Sequence, residues 1–369
     1  MRTSSGLRAS AGLLLATLLT AVPASAETPG TIGGDRLATQ GVIAAEGTRA
    51  LPPTSAAGWL VADLDTGEIL ASKDPHGRFA PASTLKTLTA ETIIPQLGAK
   101  TLVTPSFDDV NVEGSKVGLK EHLTYTVGEL FTAMLVVSGN DAANTLADAN
   151  GGVAHTVEQM NAEAQRLQAF DTHAVNANGL DDPSQLTSPY DLALIARAAM
   201  QLPDFRAYVA TKHASVRGPG ASRIAISSHD KLLYNYPGAI GIKNGYTVAA
   251  RASFIGAATR GDHSILVVLM RTEPRYWPEA AALLDWGFDA TRAGAASVGK
   301  LVDPLPAPGE TAGPVSAPVR PAAAKLSADN HESLPVLPTA IVAAGVAVVG
   351  AGALRGRRRR PRKLSLPKL

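Results

Sequence analysis

In the stretch PASTLKTLTA, Ser83 stands three residues before Lys86, behind a proline and at the head of a run with helical spacing. On a helix, residues three apart share a face. A serine hydroxyl is a poor nucleophile until a base removes its proton, and a lysine amine is such a base only when neutral. The pattern S-x-x-K occurs four times, at Ser83, Ser228, Ser297 and Ser365, so position has to decide among them. Only Ser83 opens a helical run. Taken alone, that motif reads as well as an N-cap serine beside a solvated lysine.

Two further polar words lie downstream. Ser138-Gly139-Asn140, in LVVSGNDAAN, is the only S-x-N in the chain and interrupts two helical runs, so its polar side chains project from a junction. Lys243-Asn244-Gly245, in GAIGIKNGYT, falls on a strand-like segment; Lys116-Val117-Gly118 also fits K-x-G but precedes the S-x-N word. A second ammonium about 5 Å from Lys86, at an effective dielectric near 20, costs roughly 3 kcal/mol. Lys243 is the candidate for that charge, and desolvation adds to it. The serine and lysine then replace the familiar serine and histidine.

The ordered set S-x-x-K, S-x-N, K-x-G resembles that of the penicillin-recognising serine enzymes. The flanking words GRFAPASTLK, VVSGNDAAN, NGLDDPSQLTSPYDLALIA and GIKNGYT are similar to those of low-molecular-mass D-alanyl-D-alanine carboxypeptidases, over roughly residues 58 to 290. One position departs: Asn244 stands where threonine or serine is usual. The resemblance implies that Ser83 forms an acyl-enzyme with Lys86 as base. Ser138 would relay a proton to the leaving amine, and Asn140 would orient Lys86 and the substrate amide. Backbone N–H groups of Ser83 and Tyr246 would form the oxyanion hole. Asn244, Thr247 and an arginine, Arg275 in preference to Arg271, would hold the substrate carboxylate, and Gly245 would leave room along the strand. Peptidoglycan stem peptides ending in D-Ala-D-Ala are the implied substrates, β-lactams the implied inhibitors, and no cofactor is implied.

Rival chemistries are poorly served. The chain has no cysteine, which removes disulfides, thiolate nucleophiles and cysteine-bound zinc. It has no G-x-S-x-G, H-E-x-x-H, P-loop or G-x-G-x-x-G word, and its eight histidines are scattered, with His122, His155, His173 and His213 reading as surface or capping residues. Asp181-Asp182 reads as a turn. A class A β-lactamase needs a glutamate in the loop after S-x-N, and there is none between Phe170 and Tyr190. A catalytically inactive wall-binding or sensing module stays open because of Asn244.

Positioning these words requires strands at both ends of a core and helices between. GWLVADLDTGEILASKD reads as a hairpin around Asp65-Thr66-Gly67, and ARASFIGAAT with HSILVVLMR as a second across Arg260-Gly261-Asp262. Helical patterns cover 83–94, 126–137, 141–149, 155–168 and 189–201, and WPEAAALLDWGFDA closes as an amphipathic helix. The fold class is therefore α+β, one antiparallel sheet built from both ends of the core plus a mostly helical subdomain; the resemblance implies that it is of the β-lactamase/transpeptidase kind.

The ends read as targeting. Residues 1–26 carry Arg2 and Arg8, an apolar run from Ala11 to Val22 and Ala24-Ser25-Ala26, a signal-peptide pattern. Residues 27–57 read as a flexible segment, 58–300 as the catalytic domain and the proline-rich 301–333 as a linker. Residues 334–354 carry no charge over 21 positions, enough at about 1.5 Å per residue to cross a membrane. A basic tail, 355–369, follows and reads as cytoplasmic by the positive-inside rule. Six arginines and one lysine from Arg355 to Lys363 outweigh the net charge of +2, so the rest of the chain is slightly acidic. With no scaffold or interleaved aromatics around it, that block is not read as a nucleic-acid site.

Overall fold

The computed structural model describes residues 30–306. The signal-peptide, transmembrane and tail expectations fall outside them. Among the described residues no helix is long and apolar enough to cross a membrane.

The frame is an antiparallel sheet. Its strands are β1 (Val42–Ala44), β2 (Gly58–Asp63), β3 (Glu68–Lys73), β8 (Ala239–Thr247), β9 (Arg251–Arg260) and β10 (His263–Thr272), in the order β1-β3-β2-β10-β9-β8, and β11 (Gly299–Lys300) pairs with β3. Both predicted hairpins are present, and β10 joins them by lying along β2, with Val267 opposite Val61. β2 is buried at every position and β10 along most of its length, because both faces are covered. That is why they read as continuous apolar runs and not as alternating ones.

One face is covered by the C-terminal helix α9 (Trp277–Arg292), whose Leu283, Leu284 and Trp286 pack with Trp59, Val61 and Val267. The other face carries the helical part, centred on α1 (Lys86–Ile93), all eight of whose residues are buried. Around it lie α3 (Val127–Val136), α4 (Asn140–Ala149), α5 (Val153–Arg166) and α6 (Pro189–Ala199). Their starts follow local chemistry. Thr126 and Glu129 close a capping box on α3, and Ser188 caps α6 with Pro189 at its first position.

Several elements have no counterpart in the sequence reading. These are the short helices α2 (Phe107–Val110), α7 (Pro203–Val209) and α8 (Leu232–Asn235), the pair β4 (Leu102–Val103) with β5 (Tyr125–Thr126), and the hairpin β6 (His213–Arg217) with β7 (Arg223–Ser227). The segment before residue 58, expected to be flexible, touches the core at several points. β1 extends the sheet edge, Leu37 is buried, Trp286 Nε1 donates to Arg49 O at 2.9 Å, and Glu279 accepts from Ser55 N at 2.9 Å. The core also runs past residue 300: Leu301 is buried and Val302 N donates to Tyr190 Oη at 3.2 Å.

Candidate active site

The nucleophile position is made by a tight turn. Ala82–Leu85 form a 3-10 turn that runs directly into α1, so Ser83 and Lys86 sit one turn apart at the helix head. Ala82 has φ 48°, a left-handed conformation that a residue with a Cβ rarely adopts. Two hydroxyls hold the turn from behind: Thr84 Oγ1 and Ser253 Oγ both donate to Pro81 O at 2.6 Å.

β8, the last strand of the sheet, runs against this turn. A Cβ on Gly245 would lie 2.6 Å from Ser83 N and 2.6 Å from Ser253 Oγ, so only glycine lets strand and turn approach this closely. The glycine therefore serves the fold of the site first, where the sequence reading assigned it to substrate clearance. The approach sets Ser83 N beside a strand that has no further strand beyond it among the described residues, a geometry suited to an extended peptide.

Lys86 is fully buried, and its Nζ contacts Ser83 Oγ at 2.9 Å, Asn140 Oδ1 at 2.7 Å and the carbonyl of Asn178. The orientation of the Asn140 amide is fixed because its Nδ2 donates to Glu113 O at 2.7 Å. Two of the three partners of Lys86 are carbonyls, which only accept. In a neutral amine they take both N–H groups, and the lone pair is left for the one partner able to donate, the Ser83 hydroxyl. Burial, and then the nearby Lys243 ammonium, hold Lys86 well below the ordinary lysine range, while Asp141 pulls the other way. Burial also brings Lys243 down to about 7, opposed by Asp230. Lys243 Nζ donates to Asn244 O at 2.7 Å.

Ser138 sits at the junction of α3 and α4, nearly buried and with φ 61°. Asp141, three residues on, accepts from Val117, Gly118 and Leu119 N at 2.8–3.1 Å, while Asn140 N donates to Ser115 O at 2.7 Å. Asn140 and the Asp141 that follows it thus anchor the 113–119 loop, and Asn140 holds Lys86 as well.

A second loop, 173–187, closes the other side. Its own amides fold it: Asn176 Oδ1 accepts from Gly179 N at 2.8 Å, and Gln185 Oε1 accepts from Val175 N at 2.9 Å. Asn178 supplies the carbonyl that receives Lys86, and Gly179 lies directly on Ala82. Thr247 Oγ1 donates to Asp181 Oδ1 at 2.7 Å, so Asp181, read from sequence as part of a turn, reaches the β8 strand.

Ser83, Lys86, Asn140 and Gly245 are thus brought into direct contact or close approach, with the Lys243 charge acting on Lys86. Tyr246 and Asn244 follow on β8, Tyr246 largely exposed and Asn244 half-buried. Arg275 is exposed in the turn before α9, and no hydrogen bond or ion pair joins it to another described residue. Arg271 is the arginine placed at the strand end, its Nη1 donating to Ala249 O at 3.0 Å, two residues past Thr247. A register shift between Leu269 and Thr272 changes how the end of β10 presents its side chains, which residue spacing does not reveal. Asn178, Asp141 and Ser253 were missed from sequence, and Arg271 was named there only as second choice to Arg275. The NANGLDD word was the only trace of the first. A cavity of about 550 Å³ lined by Leu37, Gln40, His76 and Arg78 contains none of these residues.

A partly exposed serine held against a fully buried lysine, at a helix head beside an edge strand, is the arrangement of an active-serine enzyme. Residues 45–273 match the D-alanyl-D-alanine carboxypeptidase family, and the chain belongs to it. It is 42% identical over 262 residues to the D-alanyl-D-alanine carboxypeptidase DacB2 of Mycobacterium tuberculosis, covering 69% of this chain and 89% of that protein. It is 31% identical to DacD of Escherichia coli, covering 64% of each. Among solved structures, a D-alanyl-D-alanine carboxypeptidase of M. tuberculosis superposes with a TM-score of 0.67 at 42% identity, covering 70% of this chain and 99% of that one. A Streptomyces DD-transpeptidase gives 0.62 at 27% identity, covering 65% and 99%.

Proposed function

We propose that Ser83 is the nucleophile of this serine D-alanyl-D-alanine carboxypeptidase and Lys86 its general base. The observation that carries the assignment is the Lys86 amine, whose two carbonyl partners leave its lone pair for Ser83. The Ser83 oxygen attacks the penultimate D-Ala carbonyl while its proton passes to Lys86 Nζ. The N–H groups of Ser83 and Tyr246 receive the oxyanion. The C–N bond breaks, the terminal D-Ala amine takes a proton through Ser138, and water then hydrolyses the acyl-enzyme. Lys243, Thr247 and Arg271 hold the terminal carboxylate, with Asn244 offering an amide N–H where a hydroxyl is usual. Arg271 replaces Arg275 in this role because it lies at the strand end. A β-lactam acylates the same serine, its amide bond opening in place of the peptide's.

The substrate is a peptidoglycan stem peptide ending in D-Ala-D-Ala. Residues 1–26 direct export, and 334–354 anchor the chain in the membrane with the basic tail inside and the catalytic unit outside. Support for that placement is the charge and hydropathy pattern of the two ends.

Intact-mass analysis after incubation with benzylpenicillin tests the mechanism. A long-lived adduct that maps to Ser83 and disappears in Ser83→Ala, but persists in Ser228→Ala and Ser297→Ala, is expected. An adduct on another serine sinks the assignment. Rapid turnover of the drug would favour a β-lactamase.

A further inference from the structure

We infer that the Asp181 carboxylate is a built-in occupant of the substrate-carboxylate site, displaced from Thr247 when a substrate's terminal carboxylate binds. The inference rests on the acyl-enzyme reading above and adds to it a residue that sets affinity for anionic ligands.

The geometry is specific. A threonine hydroxyl has one proton to donate. Thr247 Oγ1 gives it to Asp181 Oδ1 at 2.7 Å, and accepts from Ala250 N at 2.9 Å. While that arrangement holds, Thr247 has no hydrogen bond to offer an incoming carboxylate. Arg271 lies in the same stretch: its Nη1 donates to Ala249 O at 3.0 Å, and its side chain is exposed, with other N–H groups on the guanidinium. A carboxylate drawn to Arg271 and Thr247 therefore meets one already there.

Releasing Asp181 does not dismantle the loop. The loop is held by Asn176, Asn178 and Gln185, and Asp182 forms its own turn with Ser184. The bond to Thr247 is the one hydrogen bond of the Asp181 side chain among the described residues, and the residue is exposed, so its carboxylate swings out into water. If it stays close, two like charges about 5 Å apart in a water-like dielectric repel by an amount worth roughly fourfold in rate or affinity.

The test compares second-order acylation by benzylpenicillin and by its methyl ester, which lacks the carboxylate charge, in the unsubstituted chain, Asp181→Asn and Asp181→Ala. Acylation by benzylpenicillin is expected to rise about fourfold in Asp181→Asn and at least as much in Asp181→Ala. Acylation by the ester should change less than about twofold, because it carries no charge for Asp181 to repel. If acid and ester change by the same factor in either direction, Asp181 acts only as a loop anchor and the inference is overturned. If the unsubstituted chain forms no adduct with benzylpenicillin, the acyl-enzyme reading fails and takes this inference with it. An adduct forming normally with the acid-to-ester ratio unmoved by Asp181→Asn isolates the failure to Asp181.

Discussion

In the proposed mechanism two buried lysines set the pH at which Ser83 is activated, and they do so unequally. Coulomb arithmetic on the sequence put the Lys243 charge first and desolvation second. In the structure the order reverses: burial is the larger cause holding Lys86 down, Lys243 follows, and Asp141 opposes both. Removing Lys243 takes away a cation and so raises the Lys86 pKa. The neutral fraction of Lys86 at a given pH then falls. In Lys243→Ala the acid limb of the acylation profile should therefore move to higher pH, yet stay below that of an ordinary lysine because Lys86 remains buried. Normalised rates of benzylpenicillin acylation across pH read this directly, apart from any loss of carboxylate binding. A limb that stays in place would show that burial alone tunes the base.

At the scale of elements, the site depends on three pieces meeting within a few ångströms: the turn before α1, the outer strand β8, and the 173–187 loop. The tightest meeting is at Gly179. A Cβ there would lie 2.0 Å from Ala82 O, and its φ of 82° is one that L side chains rarely adopt. Gly179→Ala must displace either the loop that receives Lys86 or the turn that presents Ser83. Backbone strain of this kind costs about 1–3 kcal/mol, so a Tm loss of several degrees is expected. Acylation should slow by more than about tenfold, since misplacement of about 1 Å at reacting groups costs that much or more. A variant that loses Tm but acylates at the full rate would show that the loop adjusts without moving Ser83 or Lys86.

The same contact explains what could be read in advance. Ser83, Lys86, Ser138, Asn140 and Lys243 could be nominated from sequence because each lies in a short contiguous word whose order along the chain is distinctive. Asn178 was not, because it contributes a backbone carbonyl, which carries no side-chain signature. Asp141 binds three consecutive N–H groups of a loop more than twenty residues away. The proposal of Arg271 over Arg275 rests on the end of β10, where the register shifts, and a slip of one residue in a strand reverses the face of every side chain beyond it. The β6–β7 hairpin escaped because HASVR and RIAIS are short and largely exposed, with one fully buried residue in each.

On the scale of the whole molecule, α1 links the site to the rest of the core, and it buries polar groups along its length. Ser83 and Lys86 belong to its head, while Glu91, near its other end, is buried against α5 beside Glu163. Arg166 lies 3.8 Å from Glu91 and makes its closer ion pair with Glu163. Burial, followed by the Glu163 charge, pushes the Glu91 carboxyl up to about 8. The folded protein therefore keeps a proton there that the unfolded chain has already released, so this group removes stability as pH rises from about 4.5 towards 8. Glu91→Gln is neutral throughout and nearly the same shape. Its Tm should match the unsubstituted protein at pH 4, pull ahead through pH 5–8, and hold a constant lead above that. At about 1.4 kcal/mol for each pH unit between the unfolded and folded titrations of Glu91, the lead is on the order of a few kcal/mol, or several degrees. Thermal melts from pH 4 to 9 measure it, and acylation at pH 7 should be unaltered because residue 91 is then largely neutral in both forms and lies at the other end of α1 from Lys86. A lead that does not vary with pH would mean that Arg166 keeps Glu91 ionised in the fold, and that the cost of this buried carboxyl is met by the arginine and not by a proton.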